Sequence, residues 1–107
     1  MNEDDGTLGG YVRIHQRPPA FGGVDGAAYT VSTLVDDDPD PAGRVGAALL
    51  FVRWSAQGEK AIGHLETEYL AFGTTPNEAL APVLALTLAQ VKTHLDRCIA
   101  ASDEKKT

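Results

Sequence analysis

The stretch Phe72-Gly-Thr-Thr-Pro-Asn-Glu-Ala-Leu80, FGTTPNEAL, decides where strands stop and a helix begins. Thr75 reads as the N-cap, since its hydroxyl can accept a backbone N–H of the first turn. Glu78 stands three residues on and can reach back to the cap, completing a capping box. Pro76 falls at the first helical position, where its missing N–H costs nothing, and Glu78 suits the positive end of the helix dipole. No glycine interrupts the chain from here to Ala101. Pro82, at about the seventh helical position, predicts a kink or a ragged first turn. Leu84, Leu88, Val91, Leu95 and Cys98 recur at helical spacing as one apolar stripe, which Leu80 extends backwards.

Working back towards the N-terminus, the pattern changes from helical to alternating. KAIGHLETEYLAF (60–72) reads as a long strand, bulged near Gly63. AQGE (56–59) is a hairpin turn, and GAALLFVRWS (46–55), apolar on both faces except Arg53, is a central strand. DDDPDPAG (36–43) is an acidic loop. AAYTVSTLV (27–35) is β-branched and aromatic, as strands are. FGGVDG (21–26) reads as a turn. YVRIHQR (11–17) alternates, with Val12 and Ile14 opposite Arg13, His15 and Arg17, and reads as the first strand, ended by Pro18-Pro19. The expected fold is α+β: a four-stranded antiparallel meander followed by one long C-terminal helix packed on one sheet face (ββββα). Residues 1–10 are expected to be a disordered acidic lead, 11–101 a single domain, and 102–107 a disordered tail.

The 107 residues carry a net charge of −6, concentrated in Glu3, Asp4 and Asp5 and in Asp36, Asp37, Asp38 and Asp40. The rest of the chain is close to neutral, so a local basic patch is permitted. No apolar run approaches the ~20 residues needed to span a bilayer, and the N-terminus lacks the apolar core of a secretory signal. Cys98 is the only cysteine, so no internal disulfide framework exists. A cytoplasmic protein without membrane contact is expected. A helix of roughly 26 residues is ~39 Å long, more than a sheet ~20 Å wide covers. A homodimer covering Ala79, Val83 and Leu86 is the expected answer.

Two segments, DGAAYTVSTL (25–34) and FGTTPNEALAPVLALTLAQVKTHLD (72–96), resemble HicB-like proteins. The first is similar to their D-G-x-Y-x-V strand, the second to their turn into an amphipathic helix. The resemblance implies a partial RNase-H-like sheet with a helix, and an antitoxin role that blocks a small RNA-cleaving toxin. The chain departs from that pattern in its acidic loop, in the long hairpin 46–72, and in its ending, ASDEKKT, where many such proteins continue into a DNA-binding tail. The order of four strands and a helix, in a dimer, also resembles the Whirly and Pur-type single-strand binders.

Three constellations carry chemistry. His64, Glu66 and Glu68 alternate on one strand face and are metal-ligand types, though ~7 Å apart along a strand. His94 and Cys98, one helical turn apart, are by type a nucleophile with its base or half of a zinc site, set against Cys98 as a small hydrophobe of the apolar stripe. Tyr11, Arg13, His15 and Arg17, joined by Arg53, offer cations and a stacking ring to a single-stranded phosphate backbone. None of the glycine clusters matches a phosphate-binding loop, and no catalytic motif is present. The expectation is therefore a non-catalytic homodimeric module that binds an unidentified protein and needs no cofactor. The alternative is a dimeric single-stranded nucleic-acid binder, and a metal-dependent site is the third reading.

Overall fold

A computed structural model describes residues 5–36 and 38–105, without the side chains of 103–105. The chain runs α1 (Leu8–His15), β1 (Ala20–Gly22), β2 (Ala28–Val35), β3 (Val45–Trp54), β4 (Ala61–Glu66), β5 (Ala71–Gly73), α2 (Pro76–Leu84) and α3 (Leu88–Lys105). The fold is α+β, with an antiparallel sheet ordered β1-β2-β3-β4 and a C-terminal helix. The short β5 adds a fifth strand, paired with β3 beyond the end of β4.

Strands read at 27–35 and 46–55 appear as β2 and β3, paired from Ala28↔Trp54 to Val35↔Ala47. The turn at 56–59 closes as expected, with Gly58 at φ 74° and the Ser55 N–H donating to the Lys60 carbonyl at 2.8 Å. The ladder of β3 and β4 shifts register between Arg53 and Trp54, opposite Gly63, where the bulge was expected. The long fourth strand is in fact two. Between β4 and β5 the chain lifts at 67–70, and the Thr67 and Leu70 N–H groups keep it tethered to the Leu49 and Ala47 carbonyls.

The first strand expected at 11–17 is instead helix. Thr7 caps it, its hydroxyl accepting the Gly10 N–H at 3.1 Å, and Gln16 ends it in the left-handed region at φ 55°. Leu8, not the alternating pair, is its anchor: Leu8 is 1% exposed, whereas Val12 and Ile14 are 40% and 42% exposed. An alternation that buries neither member is not a strand signal. The first strand lies instead in AFG (20–22), overlapping the start of the segment 21–26 that reads as a turn. Of the lead 1–10, Leu8–Gly10 belong to α1, and residues 1–4 lie outside the described residues.

The single long helix is two helices. The chain stays helical through Pro82 and stops at Leu84. Thr87 then starts α3 with a complete capping box: its hydroxyl accepts the Gln90 N–H at 3.1 Å, and its own N–H donates to Gln90 Oε1 at 2.9 Å. Helix α3 continues past Ala101 to Lys105. One antiparallel bridge, Thr7↔Thr87, ties the start of α1 to this junction, with the Leu8 N–H on the Leu86 carbonyl and the Leu88 N–H on the Gly6 carbonyl, both at 2.8 Å.

The extents of 41 × 39 × 22 Å fit two layers, since packed layers lie ~10 Å apart. Odd-numbered residues of β2 and β3, Tyr29, Val31, Ala47, Leu49 and Phe51, are buried beneath the helices. Ala79 and Val83 of α2 and Val91, Leu95 and Ile99 of α3 meet them. This corrects the expected dimer surface. Ala79 and Val83 are 0% and 1% exposed within the subunit's own core, and Leu86 packs against that core. The break at 85–87 resets the helical phase, so the expected stripe holds in α3 but fails in α2, where Leu84 points outward.

Candidate functional site

The helices cover one sheet face and leave the other open. Even-numbered positions lie on the open face, because successive strand residues alternate. Leu34, Leu50, Val52 and Trp54 stand there half-buried, around a fully buried Ala48. The Trp54 indole N–H donates to the Thr30 hydroxyl at 2.9 Å, which lays the ring along β2. At the other end, the Tyr69 ring rests on Gly46, where a Cβ would fall 2.6 Å from the ring. Tyr69 meets Phe72 edge-on at 5.7 Å, and the Arg44 guanidinium sits 4.9 Å over the Phe72 ring. The result is an apolar strip with aromatic ends.

The acidic loop is fastened to this face. The Tyr69 hydroxyl donates to the Asp36 carboxylate, which lowers the pKa of Asp36 and raises that of Tyr69. Asp40 accepts the Arg44 and Ala42 N–H groups, both at 2.9 Å, and pairs with the Arg44 guanidinium at 2.9 Å. The Arg44 N–H is the main reason that the Asp40 carboxyl lies below its ordinary value.

The residues read as metal ligands do not converge. His64 and Glu66 pair with Val52 and Leu50, and Glu68 lies in the lifted segment after β4. Among the described residues no group of three or more His, Cys, Asp or Glu side chains is placed to hold a metal ion. All three line a cleft of about 630 Å³ between β4 and α3, together with His94, Arg97 and Cys98. The cleft does not activate the thiol. Burial pushes the Cys98 pKa up, the reverse of what a thiolate nucleophile needs, and its S–H faces the Glu66 carbonyl at 3.7 Å. Burial, then the Arg97 charge, pushes the His94 pKa down.

The five residues read as a nucleic-acid patch are divided. Tyr11, Arg13 and His15 ride on α1, with Arg17 just beyond it. The Tyr11 ring packs at a tilt against His15, centroids 4.3 Å apart, and His15 Nε2 lies 3.0 Å from the Asp5 carboxylate. Arg53 belongs to another group, on the helix side of β3. Its guanidinium is 3.8 Å from Asp25, which also accepts the Tyr29 hydroxyl at 2.9 Å and the Ala27 N–H at 3.1 Å.

Sequence reasoning missed a groove of about 750 Å³ between α1, the end of α2 and the edge of β2. Val12, Val31 and Leu84 are among its apolar walls, and Arg13 and Arg17 are its charged residues. Strand β1 covers β2 only as far as Thr30, after which the Val31 N–H reaches the Pro19 carbonyl at 3.3 Å. Beyond that point the outer edge of β2 has no partner strand among the described residues. The signal was the double proline: Pro18-Pro19 forces the chain away from β2 before the strand is covered.

Comparison with protein-family models, with curated proteins and with solved structures finds no match. Among the described residues no helix is long and apolar enough to cross a membrane.

Proposed function

We propose that this chain is a small non-catalytic, homodimeric module that binds another protein on its helix-free sheet face. The carrying observation is the strip of Leu34, Leu50, Val52 and Trp54, half-buried on a face that no helix covers. Contiguous apolar patches of several hundred Å² on a protein surface mark interaction sites. Completing the burial of one such side chain is worth ~1 kcal/mol, about half of its full transfer value. The face is ~19 Å across its strands and ~30 Å along them, close to 600 Å² on each partner, at the lower end of stable interfaces. The aromatic residues at its ends, Trp54 at one and Tyr69 with Phe72 at the other, are the types that anchor protein interfaces. A thiol held protonated in the only cysteine supports a binding role over nucleophilic chemistry. The HicB-like resemblance of residues 25–34 and 72–96 points to a binding role as well.

Affinity capture with wild type and Val52→Asp, side by side, tests the reading. Val52 is half-exposed, so the variant is expected to keep its circular dichroism spectrum and to lose a protein that wild type retains. Identical captured sets would refute the use of this face. A salt-dependent electrophoretic shift with single-stranded oligonucleotides would overturn the protein-binding reading in favour of nucleic acid.

A further inference from the structure

We infer that the open edge of β2 seats a second copy of this chain, its β2 paired antiparallel to the first about a two-fold axis at Leu34. The inference rests on the homodimer reading above and says where the two copies meet.

The hydrogen-bonding groups of β2 fix which residues face that edge. The Val31 N–H points to the β1 side and reaches Pro19, while the Asp36 N–H points to β3 and reaches the Gly46 carbonyl at 3.0 Å. Groups alternate along a strand, so Thr33 and Val35 present N–H and C=O outward. Pro19 blocks the track opposite Val31, so an incoming strand can begin only opposite Ser32. The register that uses both free residues pairs Thr33 of one copy with Val35 of the other, twice, and Leu34 with its own equivalent. Four backbone hydrogen bonds then form, and the two Leu34 side chains meet on the open face.

Charge favours the same occupant. The register sets Asp36 of the second copy opposite Ser32, and Ser32 lines the groove with Arg17. A two-fold axis repeats the contact. The chain's net charge of −6 would otherwise repel its own copy, so opposite charges placed at both ends of the edge have a steering role. Exposed apolar residues flank the same edge, with Val12 on α1 and Leu84 on α2 both lining the groove. The opposite edge of the sheet is a poorer template, because β4 and β5 are separated by the lifted segment 67–70. A two-fold axis normal to the sheet keeps both helix layers on one side. The two open faces then join into one platform, with the Leu34 pair at its centre.

The experiment uses the full chain carrying Cys98→Ser. Residues directly opposite at a non-hydrogen-bonded position have Cα atoms ~4.5 Å apart, within disulfide reach. Leu34→Cys should therefore give covalent dimer under mild oxidation. Ser32→Cys, whose equivalents stand ~13 Å apart in this register, should not. Thr33→Pro removes one outward N–H without touching the β3 ladder, and should move the sedimenting species from dimer to monomer with an unchanged circular dichroism spectrum. Arg17→Asp, at an exposed position outside the sheet, should weaken the dimer roughly tenfold at low salt and provides the arm that carries no risk to folding. A wild-type dimer in which Leu34→Cys fails to cross-link, and Thr33→Pro and Arg17→Asp still dimerise, overturns the edge pairing and leaves the homodimer standing. A wild type that sediments as monomer at high micromolar concentration overturns both.

Discussion

Gly73→Ala should loosen the seat of α2 on the sheet. Gly73 ends β5 opposite Val45, and the first turn of α2 passes directly over it. A Cβ at this position would lie 2.6 Å from Glu78 Cβ, 2.7 Å from the Ala79 nitrogen and 2.9 Å from the Glu78 carbonyl carbon. Two of these three atoms are main chain, and Ala79 is fully buried, so no flexible side chain can simply swing away. Reaching ordinary contact at 3.4 Å requires α2 to rise by about 0.8 Å from the sheet. Overpacking of this kind costs ~1–3 kcal/mol. Alanine offsets ~0.4–1 kcal/mol of that by restricting the unfolded chain, because Gly73 does not have a positive φ. The expected net loss is about 1.5 kcal/mol, or a fall in Tm of roughly 5–10 °C for a domain of this size. Gly63→Ala is the matched control, since a Cβ there meets nothing within 4 Å, and it should be neutral or stabilise by ~0.5 kcal/mol. Urea titrations of both variants against wild type measure the difference. Equal midpoints for the two variants would refute the close-approach argument.

Thr87→Ala should cost about 1 kcal/mol by removing the hydroxyl that caps α3, and Thr87→Ser should restore most of it. An unchanged denaturation midpoint in the alanine variant would mean that the cap contributes nothing at the junction. Thr75→Ala should cost a similar ~1 kcal/mol, since Thr75 accepts the Glu78 N–H at 3.2 Å. Asp25 sets a pH dependence. Burial pushes its carboxyl up, but the Ala27 N–H, the Tyr29 hydroxyl and the Arg53 charge outweigh that and hold its pKa below 3.8. A depressed folded-state value stabilises the fold above the unfolded value, and the contribution disappears as pH falls through the folded one. The stability advantage of wild type over Asp25→Asn should therefore be present at pH 6 and shrink below pH 3.8. The same advantage at both ends of that range would contradict the assignment.

What could be read from the sequence depended on how many residues carried each signal. β2 was legible from its β-branched and aromatic residues and β3 from an apolar run broken by Arg53, and the two are paired from Ala28↔Trp54 to Val35↔Ala47. The start of α2 was legible because Thr75, Pro76 and Glu78 agree, although the Glu78 carboxylate turns to the Thr74 N–H and hydroxyl, not to the Thr75 N–H. Residues 11–17 misled because seven residues of alternation weighed more than Thr7, a cap placed before a single buried leucine. The break in the long helix was written in Thr87 and Gln90, spaced as a capping box, but the unbroken apolar stripe around them hid it. That oversight displaced the expected dimer surface, since Ala79 and Val83 were phased on a helix that does not continue. The groove beside β2 could not be seen from local pattern at all, because its walls come from three separate elements.

The bridge between Thr7 and Thr87 also sets an order of events. Its two hydrogen bonds join the first helix to the junction between the last two, across about three-quarters of the chain. Closing so long a loop costs entropy that two bonds and one buried leucine cannot offset while the rest of the chain is unformed. The hairpins of β2, β3 and β4 need only short loops and can pair first, and α2 and α3 can then settle on the sheet. Helix α1 has nothing to dock on until that junction exists, so it is the last element to join and the first to leave. On a ribosome it would emerge before the elements it docks on, and the groove it walls beside β2 would take shape only after synthesis had reached α3.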